Sequence, residues 1–263
     1  MNDADLIVPA RYCGPATSGN GGYTSGLLAE RVECDAAFPA VEVTLRQPPP
    51  LDTPMRVEQV PADADAGTAG GDATGNPLVV LSFGGARIAD ARVAGEDLGD
   101  VDPVSMDEAT AAMARFPGLF SHPFPTCFVC GPDRSVGDGL RIFPGQVAED
   151  RVASLWVPHP SLAESSDLLD GGVPRVGKAT AWAALDCVGG WAGDMEERMM
   201  VLGRMTAQVD ALPVVGEPHV VTGLRLGGEG RKTFTASTLY DSDGRIVARA
   251  RHVWIAVDPA AFR

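Results

Sequence analysis

One ordered set of segments occurs twice in this 263-residue chain, and that repetition narrows what it can fold into. The first copy opens with a glycine pair and a helix of small residues, Gly21-Gly22-Tyr23-Thr24-Ser25-Gly26-Leu27-Leu28-Ala29-Glu30. Strands follow at Ala40 to Arg46, Thr53 to Val60, Leu78 to Phe83 and Ala86 to Val93. The second copy keeps the order: a helix from Lys178 to Trp191, then Gly203 to Val209, Glu217 to Thr222, Lys232 to Tyr240 and Arg245 to Val257. Alternation of apolar and polar residues, with β-branched enrichment, marks the strands. Pro54 and Pro218 lie 164 residues apart, whereas Arg87-Ile88-Ala89 and Arg245-Ile246-Val247 lie 158 apart. The difference falls on a long loop at Ala62 to Asn76, matched by a tight turn at Gly227-Gly228-Glu229-Gly230. Loops are where such length changes are tolerated.

A helix followed by an antiparallel meander must bury its apolar side on the sheet. Each copy is therefore expected to be an α+β unit, a helix wrapped by a curved antiparallel sheet. Residues 1–115 form the N-terminal half and 116–263 the C-terminal half. Gly95 to Pro125, with acidic turns, a helical patch at Asp107 to Arg115 and Pro-rich flanks, reads as the connector. The second half also has strands ahead of its helix, at Leu140 to Phe143 and Val152 to Val157. The first has just Leu6-Ile7-Val8 in that place.

Charge and cysteine content restrict the partners. A net charge of −14 opposes nucleic acid and anionic lipid, both of which bind through phosphates neutralised by Lys and Arg. Neither nucleic acid nor a membrane is expected as a partner. No apolar run approaches about 18 residues, and the start, Met1-Asn2-Asp3-Ala4-Asp5, is acidic, so a cytoplasmic location is expected. Five cysteines, an odd number, point to reduced thiols. Cys127-Phe128-Val129-Cys130 is the one CxxC; zinc takes four ligands and no second CxxC or CxxH follows. A packed turn is the expectation, with no metal and no other cofactor.

Asp186 stands out chemically. Ala179, Trp182, Ala183, Asp186 and Gly190 recur at helical spacing, so the carboxylate shares a stripe with apolar and small residues. A buried carboxylate needs a partner, such as Arg204, or a task. Burial raises its pKa, which suits a base that takes a proton from water. Attack on a carbonyl by such a water also needs N–H donors where negative charge develops, and helix starts supply them. Gly21, Gly22 and Tyr23 are candidates, although tight helix packing explains the glycine pair equally well. Trp182 is core or pocket wall. Arg225, Arg231 and Lys232 flank the Gly-rich turn and either hold ligand phosphates or form a solvated turn. Glu30, beside Arg31, reads as a solvated pair, which leaves one active site per chain. His122, His159 and His219 read as structural, and Cys187 points off the Asp186 stripe.

These residues resemble the hotdog superfamily, and the tandem form is similar to the type II acyl-CoA thioesterases. The Gly21-Gly22 helix start is similar to the glycine pair that opens the hotdog helix. Cys127-Phe128-Val129-Cys130-Gly131-Pro132, ending in Gly139-Leu140, resembles a Cys-Phe-x-Cys-Gly opening of some single-domain hotdog thioesterases, without their following Asn-Pro. The resemblance implies a tandem double hotdog of two long helices. It also implies a water held by an Asp on the second helix, a Thr on the next strand and a Gln on the last. Those positions match Asp186, Thr206 and His252, the last a departure from Gln. The implied activity is cofactor-free hydrolysis of an acyl-CoA or carrier-bound acyl thioester in fatty acid metabolism. The halves would pair within one chain, and further assembly into a homo-oligomer is part of what the resemblance implies. His252 keeps open a non-catalytic acyl-binding protein; a hotdog hydratase or dehydratase lacks its Asp-to-His motif here.

Overall fold

The computed structural model describes residues 5–33, 39–61, 77–95, 97–164, 172–193 and 195–262. Its helices are α1 (Gly21–Ala29), α2 (Met106–Met113) and α3 (Lys178–Ala192). Its strands in the first half are β1 (Ala40–Leu45), β2 (Arg56–Val60), β3 (Leu78–Phe83) and β4 (Ala86–Ala94). Those of the second are β5 (Gly145–Ala148), β6 (Arg151–Trp156), β7 (Met200–Val209), β8 (His219–Glu229), β9 (Lys232–Tyr240) and β10 (Ile246–Ala256).

The ten strands form one sheet in the order β2-β3-β4-β1-β7-β10-β9-β8-β6-β5. Outward from the β1–β7 seam, one wing reads β1, β4, β3, β2 and the other β7, β10, β9, β8. The two wings repeat one topology, which makes the fold a tandem double hotdog. β6 and β5 extend only the second wing. In their place the first has two isolated bridges, Leu6 with Met55 and Val8 with Leu51.

Alternation along β1 puts Val41 and Val43 into the core, and the register carries that side through Ala207 and Met205 to Ala250 and His252. Glu42, Thr206 and Arg251 stand together on the opposite side. α3 lies on the core side against β7 to β10, and every residue from Ala179 to Ala192 is buried. A helix enclosed all round has no polar face to spare, which is why its single carboxylate is conspicuous.

α1, nine residues long, runs antiparallel along α3 at close range. Glycine is required for this approach. A Cβ on Gly22 would stand 2.5 Å from Asp186 Cβ and 2.9 Å from the Trp182 carbonyl oxygen; one on Gly26 would stand 2.6 Å from Ala179 Cα. Gly22→Ala is expected to destabilise the protein by about 1–3 kcal/mol, the usual cost of overpacking, read as a lower urea midpoint with unchanged slope.

Two sequence expectations are corrected. Leu140 to Phe143 is not a strand: the Leu140 and Ile142 N–H groups bond the Phe128 and Val129 carbonyls at 2.8 and 3.0 Å, and Arg141 sits at φ +55°. This apolar segment braces the Cys127–Cys130 turn, and β6 takes β5 as its hairpin partner instead. Gly227 to Glu229 is the end of β8 rather than a turn, with Gly227 (φ +137°) at a register shift and Gly230-Arg231 making the turn. The first-half helix ends at Ala29, one residue before the expected Glu30. The Ala62 to Asn76 loop lies outside the described residues. The helical patch in the connector is α2, capped by Ser105 Oγ, which accepts the Glu108 N–H at 3.1 Å. α2 packs on β5 and β6 so closely that a Cβ on Gly145 would clash with the Ala112 carbonyl oxygen.

Candidate active site

Asn20 caps the start of α1. Its Oδ1 accepts the Tyr23 N–H at 2.8 Å, which fixes the side chain and aims the amide nitrogen at α3. From there Asn20 Nδ2 donates to Asp186 Oδ2 at 2.9 Å, and the Gly22 N–H donates to the same oxygen at 2.8 Å. One carboxylate oxygen is thus held by two donors from the first half of the chain. The other, Oδ1, is buried and has no partner among the described residues. Burial raises the Asp186 pKa to about 7, against the Gly22 and Asn20 donors, which favour the charged form. Arg204 is not its partner, since that guanidinium faces Glu42 (3.4 Å) and Thr44 (3.1 Å).

Asp186 borders a cavity of about 460 Å³. Asn20, Gly21, His122, Cys127, Cys130 and Cys187 form its polar wall, and Leu45, Trp191, Met200, Leu202 and Trp254 contribute to an apolar one. The volume lies within the range of small-molecule sites. His122 Nδ1 accepts the Phe124 N–H at 2.9 Å, while its Nε2 is buried without a partner among the described residues. Burial lowers the pKa of this imidazole.

The expected trio of Asp186, Thr206 and His252 does not assemble. Thr206 lies opposite Glu42 and Arg251, on the sheet side turned away from α3. His252 is on the core side, but its Nδ1 is 3.2 Å from Thr235 Oγ1 and its ring packs behind Gly189. Neither lines the cavity. Adjacent strands place directly opposed residues on one face, so threonine and histidine at positions 206 and 252 cannot converge. Thr206→Val, which removes the hydroxyl at nearly constant volume, is expected to leave thiol release from an acyl thioester within about 3-fold of wild type, far short of the loss of a catalytic group.

The expected helix-start donors are partly corrected. The Gly22 N–H serves Asp186 and the Tyr23 N–H serves Asn20, so neither is free for substrate. Gly21 remains on the cavity wall. The Tyr23 ring stacks on Tyr12, with centroids 3.8 Å apart, and Trp182 is fully buried between the helices. Arg231 is exposed at the cavity rim, whereas Arg225 and Lys232 are not among the lining residues.

Sequence reasoning missed Asn20 and the gathering of cysteines. An Asn ahead of a glycine-led helix is a cap signal, but its second hydrogen bond spans 166 residues and leaves no local trace. Cys187 lies off the Asp186 stripe by helical spacing, yet its sulfur is 3.7 Å from that of Cys127.

Solved structures with this fold cover nearly the whole chain. The tesB protein of Mycobacterium avium subs paratuberculosis matches with a TM-score of 0.58 and 12% identity, over 98% of this chain and 95% of its own. A protein assigned as a thioesterase from Novosphingobium aromaticivorans matches with a TM-score of 0.61 and 12% identity, over 98% and 97%. A protein with a hot dog fold from Alicyclobacillus acidocaldarius matches with a TM-score of 0.53 and 14% identity, over 96% and 92%. No protein-family model and no curated protein sequence matches the chain. The likeness resides in the fold.

Proposed function

We propose that this protein hydrolyses acyl thioesters, with acyl-CoA or a carrier-bound acyl group as substrate, in the cavity beside Asp186. The observation that carries the reading is a buried carboxylate on the cavity wall, one oxygen fixed by Asn20 and Gly22 from the facing helix start and the other without a partner among the described residues. A buried polar atom without a partner needs one, and a water that bonds Oδ1 is held where its proton can be taken. The water oxygen then attacks the thioester carbonyl. The tetrahedral intermediate collapses with cleavage of the C–S bond, and the thiol leaves with the proton. In this reading the Gly21 N–H, in the first turn of α1 on the cavity wall, is the donor that meets the developing oxyanion. Arg231 at the rim suits a phosphate-bearing handle. The thioesterase name of the Novosphingobium aromaticivorans structure agrees with this chemistry.

Asp186 therefore acts with Asn20 and Gly21 in this reading, and Thr206 and His252 take no direct part. That same dispersal favours, as a second reading, a protein that binds acyl thioesters without cleaving them. A free-thiol assay over a series of acyl-CoA chain lengths separates the two. Enzyme-dependent thiol release supports hydrolysis; saturable acyl-CoA binding without release supports the second reading and removes the first.

A further inference from the structure

Three thiols meet at the cavity wall from two distant parts of the chain. Cys127 and Cys130 come from the connector turn and Cys187 from the middle of α3; all are buried, and their sulfurs lie within 4.8 Å of one another. The Cys127 and Cys187 sulfurs are 3.7 Å apart. Two thiolates on a tetrahedral zinc, each about 2.3 Å from the ion, stand about 3.8 Å apart.

The turn that carries Cys127 and Cys130 is tightly specified: the Gly131 N–H bonds the Cys127 carbonyl at 2.9 Å, and a Cβ on Gly131 would lie 2.5 Å from that same oxygen. Ordinary buried cysteines pack singly as small hydrophobes and need no convergence of three sulfurs.

We propose that Cys127, Cys130 and Cys187 bind one thiophilic divalent metal ion, zinc by class, with its fourth coordination position open to the cavity. Three thiolates from CxxC and α3 complete a set that the sequence alone leaves at two ligands. Uptake releases the three thiol protons to solvent. The fourth position goes to water or to a small ligand in the cavity, as at zinc sites with three protein ligands. This site stands whether or not Asp186 hydrolyses a thioester.

The test uses the full chain purified under reducing conditions. Elemental analysis is expected to find about one zinc per chain, in the stoichiometry of a single site. After chelation, cobalt(II) alone is expected to restore occupancy, with thiolate-to-cobalt charge-transfer absorption and the visible bands of a tetrahedral ion. Cys130→Ser and Cys187→Ser each weaken cobalt affinity by more than about 100-fold, beyond the loss of an outer-shell partner. Cys13→Ser, outside the cluster, leaves it unchanged. Wild-type protein that carries no metal and shows no cobalt–thiolate absorption overturns the site without recourse to any variant. So does a cobalt signature undiminished in both cluster variants.

Discussion

Replacing Asp186 with asparagine lowers thioester turnover by at least about 100-fold, the usual loss on removing a general base. The amide still offers an oxygen to the Asn20 and Gly22 donors, so the α1–α3 contact that positions the group survives. It cannot take a proton from water. The fold is therefore retained while kcat falls, and urea unfolding checked beside thiol release shows both. Removing a carboxylate desolvated to this degree also removes a cost of folding, so no drop in the urea midpoint is expected. Turnover within a few-fold of wild type in a folded Asp186→Asn protein would displace Asp186 from the chemistry and leave its burial as a matter of helix packing.

The second large effect concerns stability in acid. His252 is fully enclosed between α3 and the sheet, and burial pulls its pKa down to about 4 from an ordinary value of 6.5. Above pH 6.5 the imidazole is neutral in both the native and unfolded chains and contributes no pH dependence. Between pH 6.5 and 4 the unfolded chain takes up a proton that the native protein refuses, so stability falls with pH. The loss from this one group is roughly 2 kcal/mol by pH 5 and about 3 kcal/mol by pH 4. Other groups titrate in the same window, so the measurement is the difference between wild type and His252→Gln in urea unfolding at pH 7 and pH 5. The variant is expected to lose about 2 kcal/mol less over that interval and to keep its thiol release. An identical acid slope in the two proteins would show that His252 is protonated in the native state.

Period-2 alternation made strands such as β10 legible, with one side more buried than the other, whereas β3, β8 and β9 carry runs of consecutive buried residues and were read from β-branched and apolar content. It also located the duplication, which the two wings of the sheet repeat. Asp186 was legible for a thermodynamic reason: a carboxylate on a helix of small and apolar residues is conspicuous. The partners were not. Thr206 and His252 were placed by family position, but a shared site requires a shared sheet face. That parity depends on strand register, which pairs Thr206 with Arg251 and His252 with Met205. Leu140 to Phe143 looks like a strand because it is apolar and buried, but its bonding partners belong to an irregular turn. Cys187 and Cys127 are 60 residues apart, and neither periodicity nor motif spacing announces a contact of that kind.

The α1–α3 contact also determines what survives if the polypeptide is severed. The capping amide and the carboxylate belong to opposite ends of the sequence, so neither fragment alone holds a complete reaction centre. Cleaving the backbone in the connector and recombining the pieces would make turnover a reporter of their reassociation, bimolecular in onset and dependent on the β1–β7 seam closing. Continuity of the chain thus maintains, at any dilution, an encounter that two separate pieces would have to find by diffusion.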